Sequence, residues 1–141
     1  MAQLKALALV LAWAAAPIAL AWADASVWDG IYTRAQADRG RALYAKECAS
    51  CHKEDLGGHG TTPSLAGAEF MEKWDGEALD DLFEKMQTAM PADHPGHLSR
   101  EQNAAILAYI LLRNDFPVGG ADLRSDPDWL AKVRFTAAKP K

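Results

Sequence analysis

The chain has 141 residues, 50% of them hydrophobic and 24% charged, which is the material of one ordinary domain and excludes a disordered chain. The 15 Lys and Arg against 19 Asp and Glu give a formal charge of −4, opposite in sign to the basic footprint of a protein that neutralises phosphates, and argue against nucleic acid as a partner. The 2 cysteines are too few for a disulfide framework or for a cysteine-built structural zinc site.

The chain opens with Lys5 and an uncharged stretch from Ala6 to Ala23 that ends in Ala21-Trp22-Ala23 ahead of Asp24. A lone cation, an apolar run and small residues at its end predict a secretory signal peptide over residues 1–23. A buried helix fits less well because Pro17 breaks the pattern. The stretch also reaches the lower length limit of a bilayer span, so a retained segment would anchor the protein in the membrane. Residues 24–141 then form a single exported domain, with a core over about 33–118 and an extension over 119–141. A domain of this size has a limited core, and a buried cofactor would help to hold it together.

Thr33 followed by Gln36 predicts a capping box and a first helix from Arg34 to about Cys48. Ala37, Gly40, Tyr44 and Cys48 share one helical face, with Gly40 leaving room for another backbone. The Gly-, Thr-, Pro- and Ser-rich run from Leu56 to Gly67 is a loop long enough to wrap something functional. A short helix around Glu69 to Trp74 precedes one from Gly76 to about Thr88, whose apolar stripe is Leu79, Leu82, Phe83 and Met86, and Pro91 stops it. Ser99 with Gln102 caps a further helix running to about Arg113, its face carried by Ile106, Leu107, Ile110 and Leu111. Ala104, Ala105, Ala108 and Tyr109 on that helix can accept the Gly40 and Tyr44 face, so the two helices are expected to cross. Asp126 and Pro127 predict the cap and first residue of a last helix through about Arg134. No stretch alternates with period 2, so no sheet is expected and the fold class is all-α.

The chemistry concentrates in Cys48-Ala49-Ser50-Cys51-His52, the c-type haem attachment signal. Two thiols two residues apart can add to the two vinyl groups on one porphyrin edge, and the adjacent imidazole can bind iron. Covalent attachment prevents loss of haem after export. A thioredoxin-type dithiol expects a strand before the motif, whereas a capped helix leads into this one. Zinc needs further ligands, and His59, His94 and His97 are scattered through polar loops. Met86 and Met90 are the candidates for the opposite axial position. Met86 belongs to an apolar stripe and reads as core. Met90 precedes Pro91, which pushes it into an extended conformation from which its thioether can project. A His and a Met on iron raise the potential and favour electron transfer. Pro63, with a stiff φ and a free carbonyl, is the expected acceptor for the second ring nitrogen of His52. Trp74 and Tyr109 read as core aromatics whose polar tips could instead reach haem carboxylates.

Arg39-Gly40 with Leu43-Tyr44 before Cys48, Gly57-Gly58, Pro63-Ser64-Leu65-Ala66-Gly67, Met90-Pro91, Pro95-Gly96, Leu98-Ser99 and Ala108-Tyr109-Ile110-Leu111 with Asn114 and Phe116-Pro117 together resemble a class I c-type cytochrome. More narrowly, they are similar to the small single-haem cytochromes and cytochrome domains associated with quinoprotein dehydrogenases that contain pyrroloquinoline quinone (PQQ). The resemblance implies crossed terminal helices around one haem c, thioether links at Cys48 and Cys51, axial His52 and Met90, and Pro63 as the acceptor for His52. It implies a periplasmic electron-transfer protein rather than an enzyme, either free or a subunit of a dehydrogenase. Its partners would be a PQQ-dependent dehydrogenase and a terminal oxidase or other cytochrome. The alternative function is a haem enzyme or gas sensor with a displaceable sixth ligand. Lys53 stands where many relatives carry Gly, and Asp115 follows Asn114 where Gly is common, which asks Asn114 to close its helix in the left-handed conformation.

Overall fold

The structure, a computed structural model, describes residues 25–141. The signal peptide expected over residues 1–23 lies outside the described residues. In chain order the elements are β1 (Ala25–Ser26), a 3-10 turn (Val27–Asp29), α1 (Arg34–Glu47), α2 (Ala49–His52), α3 (Ala68–Trp74), α4 (Leu79–Ala89), α5 (Arg100–Arg113), α6 (Pro127–Leu130) and β2 (Val133–Arg134). The architecture is predominantly helical, as the sequence predicts.

α1 starts where the extended Thr33 hydroxyl accepts from the Gln36 amide at 3.1 Å. The reciprocal half of the expected box is absent, because the Gln36 side chain is used elsewhere. Its Nε2 donates to the Leu123 carbonyl at 3.0 Å and its Oε1 accepts from the Leu123 amide at 2.6 Å. At α5 both halves form, with the Gln102 amide 3.2 Å from Ser99 Oγ and the Ser99 amide 2.8 Å from Gln102 Oε1.

α1 and α5 cross in contact, and the crossing depends on Gly40: a Cβ there would collide with the carbonyl of Ala105. One turn on, the Tyr44 and Tyr109 rings pack with centroids 5.3 Å apart. α4 buries Leu79, Leu82, Phe83 and Met86, as its stripe predicts. It begins at Leu79 rather than Gly76 because the preceding backbone pairs with the tail. Gly76 N–H donates to the Phe135 carbonyl at 2.8 Å, and Phe135 N–H donates to the Glu77 carbonyl at 2.9 Å.

The tail corrects two expectations. Asp126 caps α6, accepting from the Trp129 amide at 3.1 Å, but the helix stops at Leu130. Val133–Arg134 instead forms a short parallel pair with Ala25–Ser26. Val133 and Phe135 are buried and Arg134 is exposed, the alternation of a strand rather than a helix. Phe135 lies between Phe70 and Phe116, at centroid distances of 5.8 and 5.3 Å. Leu123, Leu130, Val133 and Phe135 thereby join the same core cluster as α1, α4 and α5.

Candidate functional site

Cys48 ends α1 with φ −124° and ψ −34°, and the chain turns at once into α2. Within that turn the amides of Cys51 and His52 both donate to the Cys48 carbonyl, at 3.2 and 2.9 Å. The turn therefore holds both thiols and the imidazole together. The thiols are unpaired, Cys48 half-buried and Cys51 exposed. Burial pushes the Cys48 thiol up to about 11, with Glu47 and Cys51 adding to the effect. Dithiol redox centres need the opposite shift, toward thiolate. Among the described residues no group of His, Cys, Asp and Glu is arranged to hold a metal ion by itself. His59, His94 and His97 are exposed; the last stacks on His94 with centroids 4.5 Å apart and places Nε2 3.1 Å from Glu47 Oε2.

His52 is buried, and its Nδ1 lies 2.9 Å from the Pro63 carbonyl, as the sequence predicts. A carbonyl can only accept, so the proton resides on Nδ1 and the lone pair of the neutral ring on Nε2. Pro63 reaches this position because Gly58, at φ +67°, has no side chain; a Cβ there would stand 2.6 Å from the Pro63 carbonyl carbon. The loop is closed by the His59–Thr62 backbone pair, at 3.0 and 2.9 Å, and by the Leu65 amide on the Leu56 carbonyl at 2.8 Å.

Asn114 fastens the loop to α5. Its Nδ2 donates to the carbonyls of Leu65 at 3.0 Å and Ile110 at 2.9 Å, and its Oδ1 accepts from the Gly67 amide at 3.0 Å. Asn114 itself has φ −102°, and Asp115 takes the left-handed position at φ +62°. The expectation that Asn114 closes the helix in that conformation is corrected: its side chain is needed for the loop, and the next residue makes the reversal. Nothing in the sequence pattern marks this use of Asn114, since its loop partners Leu65 and Gly67 lie far away along the chain.

Met86 is buried in α4, while Met90 is half-buried at the end of that helix, extended with φ −124° and ψ 150° ahead of Pro91. The loop after it is anchored by Gln87, whose Nε2 donates to the Leu98 carbonyl at 3.0 Å and whose Oε1 accepts from Asn103 Nδ2 at 3.0 Å. Trp74 is half-buried against the core, and Tyr109 is buried with its hydroxyl 2.9 Å from Arg113 Nη1. A surface cleft of about 460 Å³ between α1, α5 and the tail, lined by Gln36, Arg39, Asp122 and Arg124, contains none of the motif residues.

A family model described as cytochrome c oxidase, cbb3-type, subunit III matches residues 35–110, more than half of the chain. The chain belongs to this family and is a class I c-type cytochrome. Among curated proteins no sequence matches it. Among solved structures it is similar to the sulfane dehydrogenase SoxCD from Paracoccus pantotrophus, at 26% identity and a TM-score of 0.48, over 82% of this chain and 62% of that one. By its family, the cytochrome is an electron-transfer protein whose class holds haem covalently. Its residues fit that group: two unpaired thiols share a turn with an imidazole whose tautomer leaves Nε2 free to coordinate. Beside Pro63, the buried Ser64 hydroxyl has no hydrogen-bond partner, a vacancy that suits a polar edge of a bound group.

Proposed function

We propose that this cytochrome is a periplasmic one-electron carrier with a single haem c. It accepts electrons from a PQQ-dependent dehydrogenase, passes them to a terminal oxidase or other cytochrome, and performs no substrate chemistry itself. Cys48 and Cys51 would hold the haem by thioether bonds, His52 Nε2 and the Met90 sulfur would bind its iron, and Pro63 orients His52. When bound, haem ligated by His and Met would supply a one-electron iron couple of raised potential.

The observation that carries this reading is the 2.9 Å contact between His52 Nδ1 and the Pro63 carbonyl, on the same turn as the two thiols. That bond fixes the ring and makes Nε2 a stronger donor. The thioethers keep the cofactor from escaping an exported protein. The periplasmic assignment rests on the uncharged Ala6 to Ala23 segment; the membrane is involved only where that segment is retained. Among the described residues, no helix is long and apolar enough to cross a membrane. The dehydrogenase donor rests on the sequence resemblance around Pro63, Met90 and Asn114.

The test combines intact mass with reduction kinetics on protein purified from the native periplasm. The expected mass is that of the cleaved polypeptide plus one haem, and a quinoprotein dehydrogenase with its substrate reduces the protein. Reduction by no quinoprotein removes the donor assignment and leaves the carrier. Rapid carbon monoxide binding by the reduced protein overturns the filled sixth position in favour of a sensor or enzyme.

A further inference from the structure

Lys53, the residue after His52, has φ +63° and ψ 163°, a region that glycine occupies freely and an L side chain occupies only under constraint. The constraint comes from α1. The Tyr44 hydroxyl donates to the Lys53 carbonyl at 2.7 Å, and the Leu56 amide donates to the same oxygen at 3.2 Å. Tyr44 is 2% exposed, and burial raises its phenol well above the ordinary value, so it remains a donor through the physiological range.

The segment beyond is folded back on His52. The His52 carbonyl accepts from the Gly58 amide at 3.1 Å, and Leu56 is also left-handed, at φ +64°. Gly58 is in turn the residue over which Pro63 reaches the imidazole. The Lys53 carbonyl therefore sits at the start of the turn that brings His52 and its acceptor together. Packing against Tyr109 requires only the ring of Tyr44, which a phenylalanine would supply. The hydroxyl adds the bond to Lys53.

We propose that the Tyr44 hydroxyl is a positioning group for His52: by holding the Lys53 carbonyl in its constrained turn, it sets the bond from His52 Nδ1 to Pro63 and, through that bond, the potential of the iron. The inference rests on the reading of His52 as an iron ligand. The spectrum of the wild-type holoprotein, read first, tests ligation by itself, so its failure is distinguishable from failure of the positioning role.

The experiment compares holoprotein of wild type, Tyr44→Phe, Lys53→Gly and the double variant by NMR exchange and redox titration. In Tyr44→Phe the His52 Nδ1 proton and the Gly58 amide exchange with solvent about fivefold faster. The midpoint potential rises, because a looser Nδ1–H bond makes the imidazole a poorer donor to ferric iron. Adding Lys53→Gly returns both readouts toward wild type, since glycine takes the turn unaided, and Lys53→Gly alone leaves both unchanged. Wild-type exchange and potential in Tyr44→Phe overturn the proposal, as does a double variant no closer to wild type than Tyr44→Phe.

Discussion

Gly58 and Gly60 lie in one loop and both have positive φ, +67° and +59°, but only Gly58 has a neighbour where its side chain would be. Gly60→Ala therefore meets the left-handed penalty alone, about 1 kcal/mol. Gly58→Ala adds a collision with the backbone that carries the Pro63 carbonyl and is expected to cost about 3 kcal/mol. Denaturant unfolding of the two ferric variants checks the difference, and equal losses would mean that the Pro63 approach is not under constraint. At this scale the sequence was legible where chemistry is local. Cys48, Cys51 and His52 are neighbours, Met90 is shaped by Pro91, and the Pro63 carbonyl was expected and lies at His52. It was illegible where a polar group finds a distant partner. Gly40, Tyr44 and Cys48 were seen to share a face, but nothing in that spacing says that the Tyr44 hydroxyl reaches Lys53.

Between elements, the crossing of α1 and α5 sets the frame on which Cys48 and the loop fastened by Asn114 are held. Helix propensity alone would make Gly40→Ala stabilising by about 1 kcal/mol. The collision with Ala105 reverses the sign, and the variant is expected to lose about 3 kcal/mol as the helices separate, measured by thermal or denaturant unfolding; a gain in stability would contradict the close crossing. This crossing could be read in advance because small residues at helical spacing appear on both partners, Gly40 on one and Ala104, Ala105 and Ala108 on the other. The apolar stripe and Pro91 also marked α4, though it begins at Leu79 rather than Gly76. The structure departs from the sequence pattern where side chains and backbone are competed for. The spacing places Gln36 at its own helix terminus, but the Leu123 backbone captures it. The cap at Asp126 predicts a helix past Leu130, but the core takes Val133 and Phe135 in alternation.

Over the whole molecule, the tail is tied to the start of α1 by charge as well as by Gln36. Asp122 accepts from the Thr33 hydroxyl and lies 2.7 Å from Arg39 Nη2. The Thr33 bond first and the Arg39 bond and charge after it hold the Asp122 carboxyl below its ordinary range. A carboxylate lowered in the folded state contributes stability that is fully present above the unfolded value, about 3.9, and is lost as pH falls through the lower folded value. Because both partners of the ion pair are half exposed or more, the contribution is at most about 1 kcal/mol. Acidification below about pH 4 is expected to weaken the tail's attachment, with faster hydrogen exchange at the Leu123 amide. Asp122→Asn should remove part of that pH dependence; an unchanged profile would show that the contact contributes nothing. Above these details stands the proposal that His52 and Met90 would both ligate the iron. The far-red sulfur-to-iron charge-transfer band of the ferric protein tests it most directly. The band is expected in wild type, should persist in Met86→Ala and should disappear in Met90→Ala; a band that survives Met90→Ala but is lost in Met86→Ala would put the wrong methionine on the iron.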